Sequence, residues 1–180
     1  MTESLTPAQD TLNRLWDNHT TLEFANKDPE AAIATMTDNP QVVHVPTMIG
    51  GRGREELYTF YARHFLNQLP PDLDIVPLSR TIGENRIVDE LVVRFTHSIQ
   101  IDWALPGMAP TNKRIEFAMV VIVHFEGDKI AAESIYYDQA TVLRQVGLLP
   151  DLKLPVLGAE SARNLIEPAP LNQLIHRNAR

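Results

Sequence analysis

Cysteine is absent from this sequence, which excludes disulfide bonds, thiolate metal sites and a cysteine nucleophile. Positive charge is also scarce, since 16 Lys and Arg stand against 23 Asp and Glu and the net charge is −7. Nucleic-acid-binding domains usually carry a basic patch or stripe, so we expect no nucleic-acid partner. No apolar run approaches the roughly 20 residues of a membrane span, so we expect no membrane partner. The polar N-terminus lacks the pattern of a signal peptide, which predicts a cytoplasmic protein.

Several common catalytic signatures are missing as well. The sequence has no Gly-x-Ser-x-Gly elbow, no P-loop and no His-Glu-x-x-His motif. Its histidines are scattered singly, with no two at metal-ligand spacing beside a carboxylate. The glycine-rich stretch Ile49 to Arg54 lacks dinucleotide-binding spacing, and we interpret it as a loop before a helix. We therefore expect neither a metal nor a cofactor.

The N-terminal third has the pattern of three helices. Thr6 is a suitable N-cap, Pro7 stands at the first helical position and Gln9 completes a capping box. A second helix begins after Asp28 and runs to about Met36. A short strand over residues 41–45 follows, and the third helix extends from about residue 55 to 66.

The pattern then changes to antiparallel strands and one last helix. The predicted strands are rich in Val, Ile and Phe and are separated by turn signals; they cover residues 75–81, 86–101, 114–125 and 129–137. A short amphipathic helix, residues 139–146, follows with Gly147 as its C-cap. Helices followed by strands predict an α+β domain with the helices packed on one face of a four-stranded antiparallel meander.

We expect one domain over residues 1–149 and a C-terminal extension over residues 150–180. The extension has too many apolar side chains to be a free tail. It should pack on its own domain or on a partner subunit.

The segment from residue 127 to 147 resembles the C-terminal strand and helix of SnoaL-like proteins, a branch of the nuclear transport factor two-like superfamily. The matching residues are Gly127, Lys129, Ile130, Glu133, Tyr136, Tyr137, Asp138, Gln145, Val146 and Gly147. The resemblance covers roughly residues 8–149. It implies a cone with a strongly curved sheet, a pocket for a small hydrophobic molecule and a homodimer.

Three residues are the predicted catalytic group. The resemblance places Asp138 at the position of the general base of SnoaL-type polyketide cyclases, and His124 at that of a histidine in the same pocket. Strand alternation puts His97 on an apolar face. Each has an alternative interpretation: Asp138 as the N-cap of the following helix, His124 as a surface residue, and His97 as a core histidine.

Aromatic side chains are the predicted substrate-binding group, with simple core packing as the alternative. Its members are Trp16, Tyr58, Tyr61, Trp103 and Tyr136. Trp103 stands beside a proline-rich loop that we expect at the rim of the pocket.

Three functions follow as hypotheses. The first is a cofactor-independent acid–base enzyme acting on a hydrophobic carbonyl compound, such as a cyclase, isomerase, dehydratase or hydrolase. The second is a non-catalytic module that binds a small apolar ligand. The third is a dimerisation domain whose cavity is filled with side chains. Fold-level analogy alone does not choose among them.

Overall fold

The structure is a computed structural model that describes residues 4–149 and 154–177. Residues 150–153 and 178–180 of the predicted extension, and residues 1–3 of the predicted domain, lie outside that range. Within the described residues, no helix has the length and apolar composition needed to cross a lipid bilayer.

Six strands form one sheet in the order β2-β1-β6-β5-β4-β3. They are β1 (Met36–His44), β2 (Ile49–Arg52), β3 (Asp74–Ile82), β4 (Arg86–Thr96), β5 (Arg114–Glu126) and β6 (Lys129–Tyr137). The helices are α1 (Pro7–Thr21), α2 (Pro29–Ala34), α3 (Gly53–Phe60), α4 (Gln139–Val146), α5 (Glu160–Arg163) and α6 (Gln173–Arg177). The sheet is curved and open, so the predicted α+β cone is confirmed.

The sheet differs from the prediction in its pairing, in the glycine-rich segment and in β4, which ends at Thr96 and not at residue 101. Strand β1 pairs in parallel with β6, with Val42 opposite Glu133, so the sheet is mixed and its four-stranded meander is extended by β1 and β2. Residues 49–52 of the predicted glycine-rich loop form β2. Gly51 allows this strand to lie against α3, because a Cβ there would come within 2.6 Å of the Leu57 backbone nitrogen.

Local signals set the helix ends. The capping box of α1 is present, with the Gln9 amide donating to Thr6 Oγ1 at 3.3 Å and the Thr6 amide donating to Gln9 Oε1 at 2.9 Å. Helix α4 ends at Gly147, whose φ of 90° is in the left-handed region that glycine adopts readily. Helices α1 and α3 each continue into a π-helical turn, which covers Leu22–Asn26 after α1 and Tyr61–Phe65 after α3.

The core lies between these helices and the concave face of the sheet. Strand β5 shows the underlying alternation, because Phe117, Met119, Val121 and Val123 point inward and are buried. The outer face of β5 receives α5, where Ala162 is buried and Arg163 Nε donates to a carboxylate oxygen of Glu116 at 3.0 Å. The described part of the extension therefore contacts the domain's own sheet.

Candidate functional site

A cavity of about 470 Å³ lies between the helices and the concave face of the sheet. Its walls are mostly apolar, and the aromatic residues among them are Trp16, Phe24, Phe60, Tyr61, Phe65 and Trp103. Lining residues that reach solvent, such as Thr21, Ala25 and Pro77, mark the mouth between the first π-helical turn and strand β3. The volume lies within the range of about 300–1,000 Å³ that is typical of ligand pockets.

The two π-helical turns each bring one polar residue to the inner part of this cavity. Glu23 lies in the turn after α1 and is 3% exposed, and Tyr61 begins the turn after α3 and is fully buried. A π-helical turn widens the helix locally and is frequent at functional sites. Here the two turns border the cavity on its helical side.

His19, Glu23 and Glu133 form a buried group that we call the His19 cluster. His19 Nε2 lies 3.2 Å from Glu23 Oε1 and 3.1 Å from Glu133 Oε1. The three residues are 0%, 3% and 4% exposed. Both glutamates line the cavity, whereas the imidazole lies behind them. Trp16 stacks on the imidazole with ring centroids 5.5 Å apart.

Thr35 determines the protonation of the other imidazole nitrogen. Its hydroxyl donates to the Ala32 carbonyl at 2.7 Å, so it accepts from His19 Nδ1 at 2.6 Å. The hydrogen on Nδ1 is thus fixed, and Nε2 faces two carboxylates. Burial alone would lower the pKa of His19, but Glu23 and Glu133 outweigh it and raise that pKa from 6.5 to about 10. The ring is an imidazolium at neutral pH.

Two neighbours of His19, Glu133 and Tyr61, have raised pKa values. Burial raises the pKa of Glu133, and the nearby charge of Glu23 adds to that effect, while His19 opposes it. Burial also raises the pKa of Tyr61 well above 10, and its hydroxyl lies 3.5 Å from His19 Nε2. The cavity thus offers a carboxylate of raised basicity beside a phenol that stays protonated.

His44 lies in a different environment on the wall of the same cavity. Four aromatic rings surround it, with centroids 5.3 to 6.2 Å from its own, and together with His44 they form what we call the aromatic wall: Phe60, Phe65, Trp103 and Tyr137. Burial lowers the pKa of His44 from 6.5 to about 3. This imidazole is neutral at physiological pH.

A third polar group joins α1 to the edge of the sheet near the mouth. Arg80 donates through Nε and Nη2 to both oxygens of Asp89, at 2.6 and 2.8 Å, and through Nη1 to Asp17 at 2.6 Å. Trp16 Nε1 also donates to Asp89 at 2.8 Å. These bonds satisfy the buried carboxylate and orient the Trp16 ring on the cavity side of α1.

The His19 cluster is also where a metal ion would find donors. Among the described residues it is the group in which histidine and carboxylate ligand atoms lie within 4.8 Å of one another. The same contacts of 3.1 and 3.2 Å are those of an ion pair between a protonated His19 and the two carboxylates. This group was not predicted from the sequence because its members come from α1, a π-helical turn and strand β6.

The three predicted catalytic residues are not brought together. Asp138 is exposed and caps α4: Oδ1 accepts from the amides of Ala140 at 2.9 Å and Thr141 at 3.3 Å, and Oδ2 accepts from the Thr141 hydroxyl at 2.7 Å. The alternative of a helix cap therefore describes the geometry of Asp138. Its carboxylate is not among the cavity-lining groups.

The two predicted histidines also lie away from the cavity lining. His124 is at the turn end of β5 on the outer face, where its Nε2 lies 3.2 Å from Asn85 Nδ2. His97 is fully buried, as its strand parity predicted, but its Nδ1 accepts from the Thr111 amide at 3.3 Å. It therefore anchors the loop that follows β4.

The predicted aromatic group divides in two. Trp16, Tyr61 and Trp103 line the cavity. Tyr58 and Tyr136 are 43% and 45% exposed and lie outside it. Tyr58 faces a separate groove on the outside of α2 and α3. Tyr136 faces outward because strand alternation gives the inner face to Ile135 and Tyr137.

The sequence does hold signals for the residues that were missed. Glu133 shares the parity of Ile135 and Tyr137 on β6, which puts a carboxylate on an apolar strand face. His19 and Glu23 stand four residues apart, the spacing of neighbours on one helical face. Their convergence depends on how α1 crosses the sheet, and no local pattern predicts that.

Comparisons with known proteins agree with this architecture. The family model for SnoaL-like polyketide cyclases matches residues 14–146. No curated protein gives a significant match. Among solved structures, TsrD from Streptomyces laurentii superposes with a TM-score of 0.60 at 15% identity, covering 80% of this chain and 98% of that one.

Two further structures share the fold at the same low identity. A protein with a ketosteroid isomerase-like fold from Catenulispora acidiphila, in complex with trimethylamine, has a TM-score of 0.55 at 15% identity over 79% of this chain and 95% of its own. A nuclear transport factor two-like protein of unknown function from Burkholderia pseudomallei has a TM-score of 0.55 at 15% identity over 79% and 99%. At these identities the likeness establishes the fold alone. Because the family model spans most of the sequence, the chain belongs to the SnoaL-like polyketide cyclase family.

Proposed function

We propose that the protein is an acid–base catalyst for a small apolar carbonyl compound that binds in the cavity, with Glu133 as the proton acceptor. The observation that carries this proposal is a buried carboxylate on an apolar strand face that lines the cavity and lies beside an imidazolium. A general base is most effective when its pKa is near the working pH. Burial raises the pKa of Glu133 from its ordinary value, and so moves it toward neutral pH.

The neighbours of Glu133 have complementary roles in this reaction. The positive charge of His19 opposes full protonation of Glu133, so the carboxylate keeps an ionised fraction that can accept a proton. Tyr61, with its raised pKa, retains its hydrogen and can donate to a ligand oxygen. The apolar walls exclude water from the reacting atoms, which strengthens each of these interactions.

Deuterium exchange tests the proposal without knowledge of the natural substrate. The methyl protons of 2-acetylnaphthalene, an apolar aryl ketone, exchange with D₂O when a base removes them, and proton NMR follows their loss. We expect the native protein to accelerate this exchange and Glu133→Gln to reduce the acceleration at least about 100-fold, since general-base catalysis contributes 10²–10⁴-fold. Glu90→Gln, which alters a carboxylate bonded to Ser79 on the outer face of the sheet, is the matched control and should keep the native rate.

The alternative of a non-catalytic binding module predicts a different result. In that case the ketone quenches the fluorescence of the two cavity tryptophans, Trp16 and Trp103, while its exchange rate equals that in buffer. Binding of the ketone without faster deuterium exchange would therefore contradict the acid–base proposal and support the non-catalytic binding module.

We further propose that the protein forms a homodimer. Apolar side chains remain exposed on the described surface, including Tyr136 on the outer sheet face and Leu165, Leu171 and Ile175 in the extension. Exposed apolar patches of this kind often mark contact surfaces. Light scattering at micromolar concentration should give twice the chain mass, and a single species of 20.3 kDa would contradict the dimer.

A further inference from the structure

We propose that His44 is a second catalytic residue of the cavity, a neutral imidazole that donates a hydrogen bond to the carbonyl oxygen of the bound compound. This inference rests on the proposed function, because it identifies the group that holds the oxygen while Glu133 takes the proton. It assigns the aromatic wall a polar contact with the ligand in addition to apolar packing.

The pairing of β1 with β6 places His44 at a suitable distance from Glu133. The two strands are parallel, with Val42 opposite Glu133 and His44 opposite Ile135. All four side chains line the cavity. A strand spacing of about 4.8 Å and a rise of about 3.3 Å per residue put the Cα atoms of His44 and Glu133 roughly 8 Å apart. Both side chains project from the same face of the sheet into the cavity, so one ligand lying over β1 and β6 can contact both.

The hydrogen-bonding capacity of His44 is unused by the protein. The residue is 3% exposed, its Nδ1 is buried without a partner, and none of the described residues bonds to its ring. The Tyr137 hydroxyl in the aromatic wall is bonded to the Trp103 carbonyl and not to His44, and that carbonyl also accepts from Thr47. A buried polar group without a partner costs about 1–3 kcal/mol. With Nδ1 enclosed, Nε2 is the nitrogen left for a ligand oxygen.

The neutrality of His44 suits the proposed step. The C–H bond next to the carbonyl breaks, its proton forms an O–H bond with the Glu133 carboxylate, and the electron pair forms a C=C bond. The carbonyl π electrons then move to oxygen, and the N–H of His44 donates to the oxygen where this charge develops. Donors placed at such a position stabilise the transition state strongly in a dry site. A neutral imidazole also adds no positive charge beside the His19 imidazolium.

A matched pair of probes measures the contact directly. 2-Acetylnaphthalene and 2-isopropenylnaphthalene have nearly the same shape, but the second has a CH₂ group in place of the carbonyl oxygen. We expect the ratio of hydrocarbon Kd to ketone Kd, from tryptophan fluorescence, to fall about tenfold in His44→Phe relative to the native protein. This is the change expected for the loss of one hydrogen bond. His44→Gln, which keeps an N–H donor, should recover part of the ratio.

Two controls keep this test separate from that of the proposed function. Glu133→Gln should abolish deuterium exchange while leaving the effect of His44→Phe on the ratio in place. Addition of the ketone, but not of the hydrocarbon, should shift the His44 N–H signal in NMR spectra of the native protein. This measurement does not depend on the folding of any variant. A ratio that changes less than twofold in His44→Phe, or a native protein that binds neither probe, would overturn the proposal.

Discussion

His19 lies behind the cavity lining and His44 lies on the cavity wall, and both are buried, yet their pKa values are shifted in opposite directions. Burial removes water from both rings and by itself disfavours the charged form. Around His19 two carboxylates reverse this effect and raise the pKa to about 10, whereas no described carboxylate pairs with His44 and its pKa falls to about 3. Burial thus lowers the pKa of a histidine unless acidic neighbours outweigh it.

In the proposed reaction the two regions have different roles. The His19 cluster takes up the proton through Glu133, and the aromatic wall donates a hydrogen bond through His44. An enzyme that removes a proton next to a carbonyl needs both a base and a donor for the oxygen. The parallel pairing of β1 with β6 puts these two groups on neighbouring strands.

Removal of the His19 ring should have the largest effect on stability. In His19→Leu, Glu23 and Glu133 would remain buried without a cation, and loss of one partner from a buried ion pair costs about 3–5 kcal/mol. Urea unfolding at pH 7 measures this free energy. A triple variant, His19→Leu with Glu23→Met and Glu133→Met, is the control and should recover most of the loss because the three charges are removed together. A loss below about 1 kcal/mol in His19→Leu would contradict the charged cluster.

The pH dependence of unfolding should separate the two histidines. The pKa of His44 is lowered in the folded state, so its contribution is full above pH 6.5 and is lost as pH falls toward about 3. The pKa of His19 is raised, so its contribution is full below pH 6.5 and is lost as pH rises toward about 10. The free energy of unfolding should thus decrease in both directions from near neutrality.

Replacement of His44 sharpens that prediction. His44→Phe keeps an aromatic ring in the aromatic wall, but that ring cannot be protonated. The free energy of unfolding of this variant should therefore decrease less than that of the native protein as the pH is lowered from 6.5 to 4. The alkaline decrease should be unchanged because His19 is retained. Chemical unfolding at three pH values is sufficient, and an identical acid slope in both proteins would contradict the neutral assignment of His44.

Replacement of Asp138 should have the smallest effect on stability. It tests whether this residue is a helix cap or a general base. Asp138→Ala should destabilise the protein by about 1 kcal/mol, the usual cost of losing an N-cap, and Asp138→Asn should retain most of the stability. Thermal unfolding measures both variants. Since the carboxylate is bonded to the first turn of α4 and lies outside the cavity lining, deuterium exchange in Asp138→Asn should continue. A loss of exchange as large as that in Glu133→Gln would restore Asp138 as the base.

The fold was predictable because its signals are local. The Thr6 capping box, the Gly127 turn and the alternation along β5 each depend on residues close in sequence, and all are present in the structure. The added strands were harder to predict, since β1 joins the sheet through a parallel contact with β6, some 90 residues away in the chain. Long-range pairing of this kind leaves little trace in a single sequence.

The site was less predictable for the same reason. Asp138 matches a family position, but its side chain is the N-cap of α4. Trp16, Tyr61 and Trp103 were identified as lining residues because large aromatic side chains near helices and loops are good candidates for any pocket. The His19 cluster forms because α1 crosses over β6, and the aromatic wall forms because four separate elements meet around His44.

Nitrogen-15 NMR of the two imidazole rings at pH 8 distinguishes a charged His19 from a neutral one. Histidines with an ordinary pKa near 6.5 would both be neutral at that pH. We predict that both nitrogens of His19 carry hydrogen, because Thr35 accepts from one and the two glutamates face the other, and that only one nitrogen of His44 does. A neutral His19 ring at pH 8 would contradict the account.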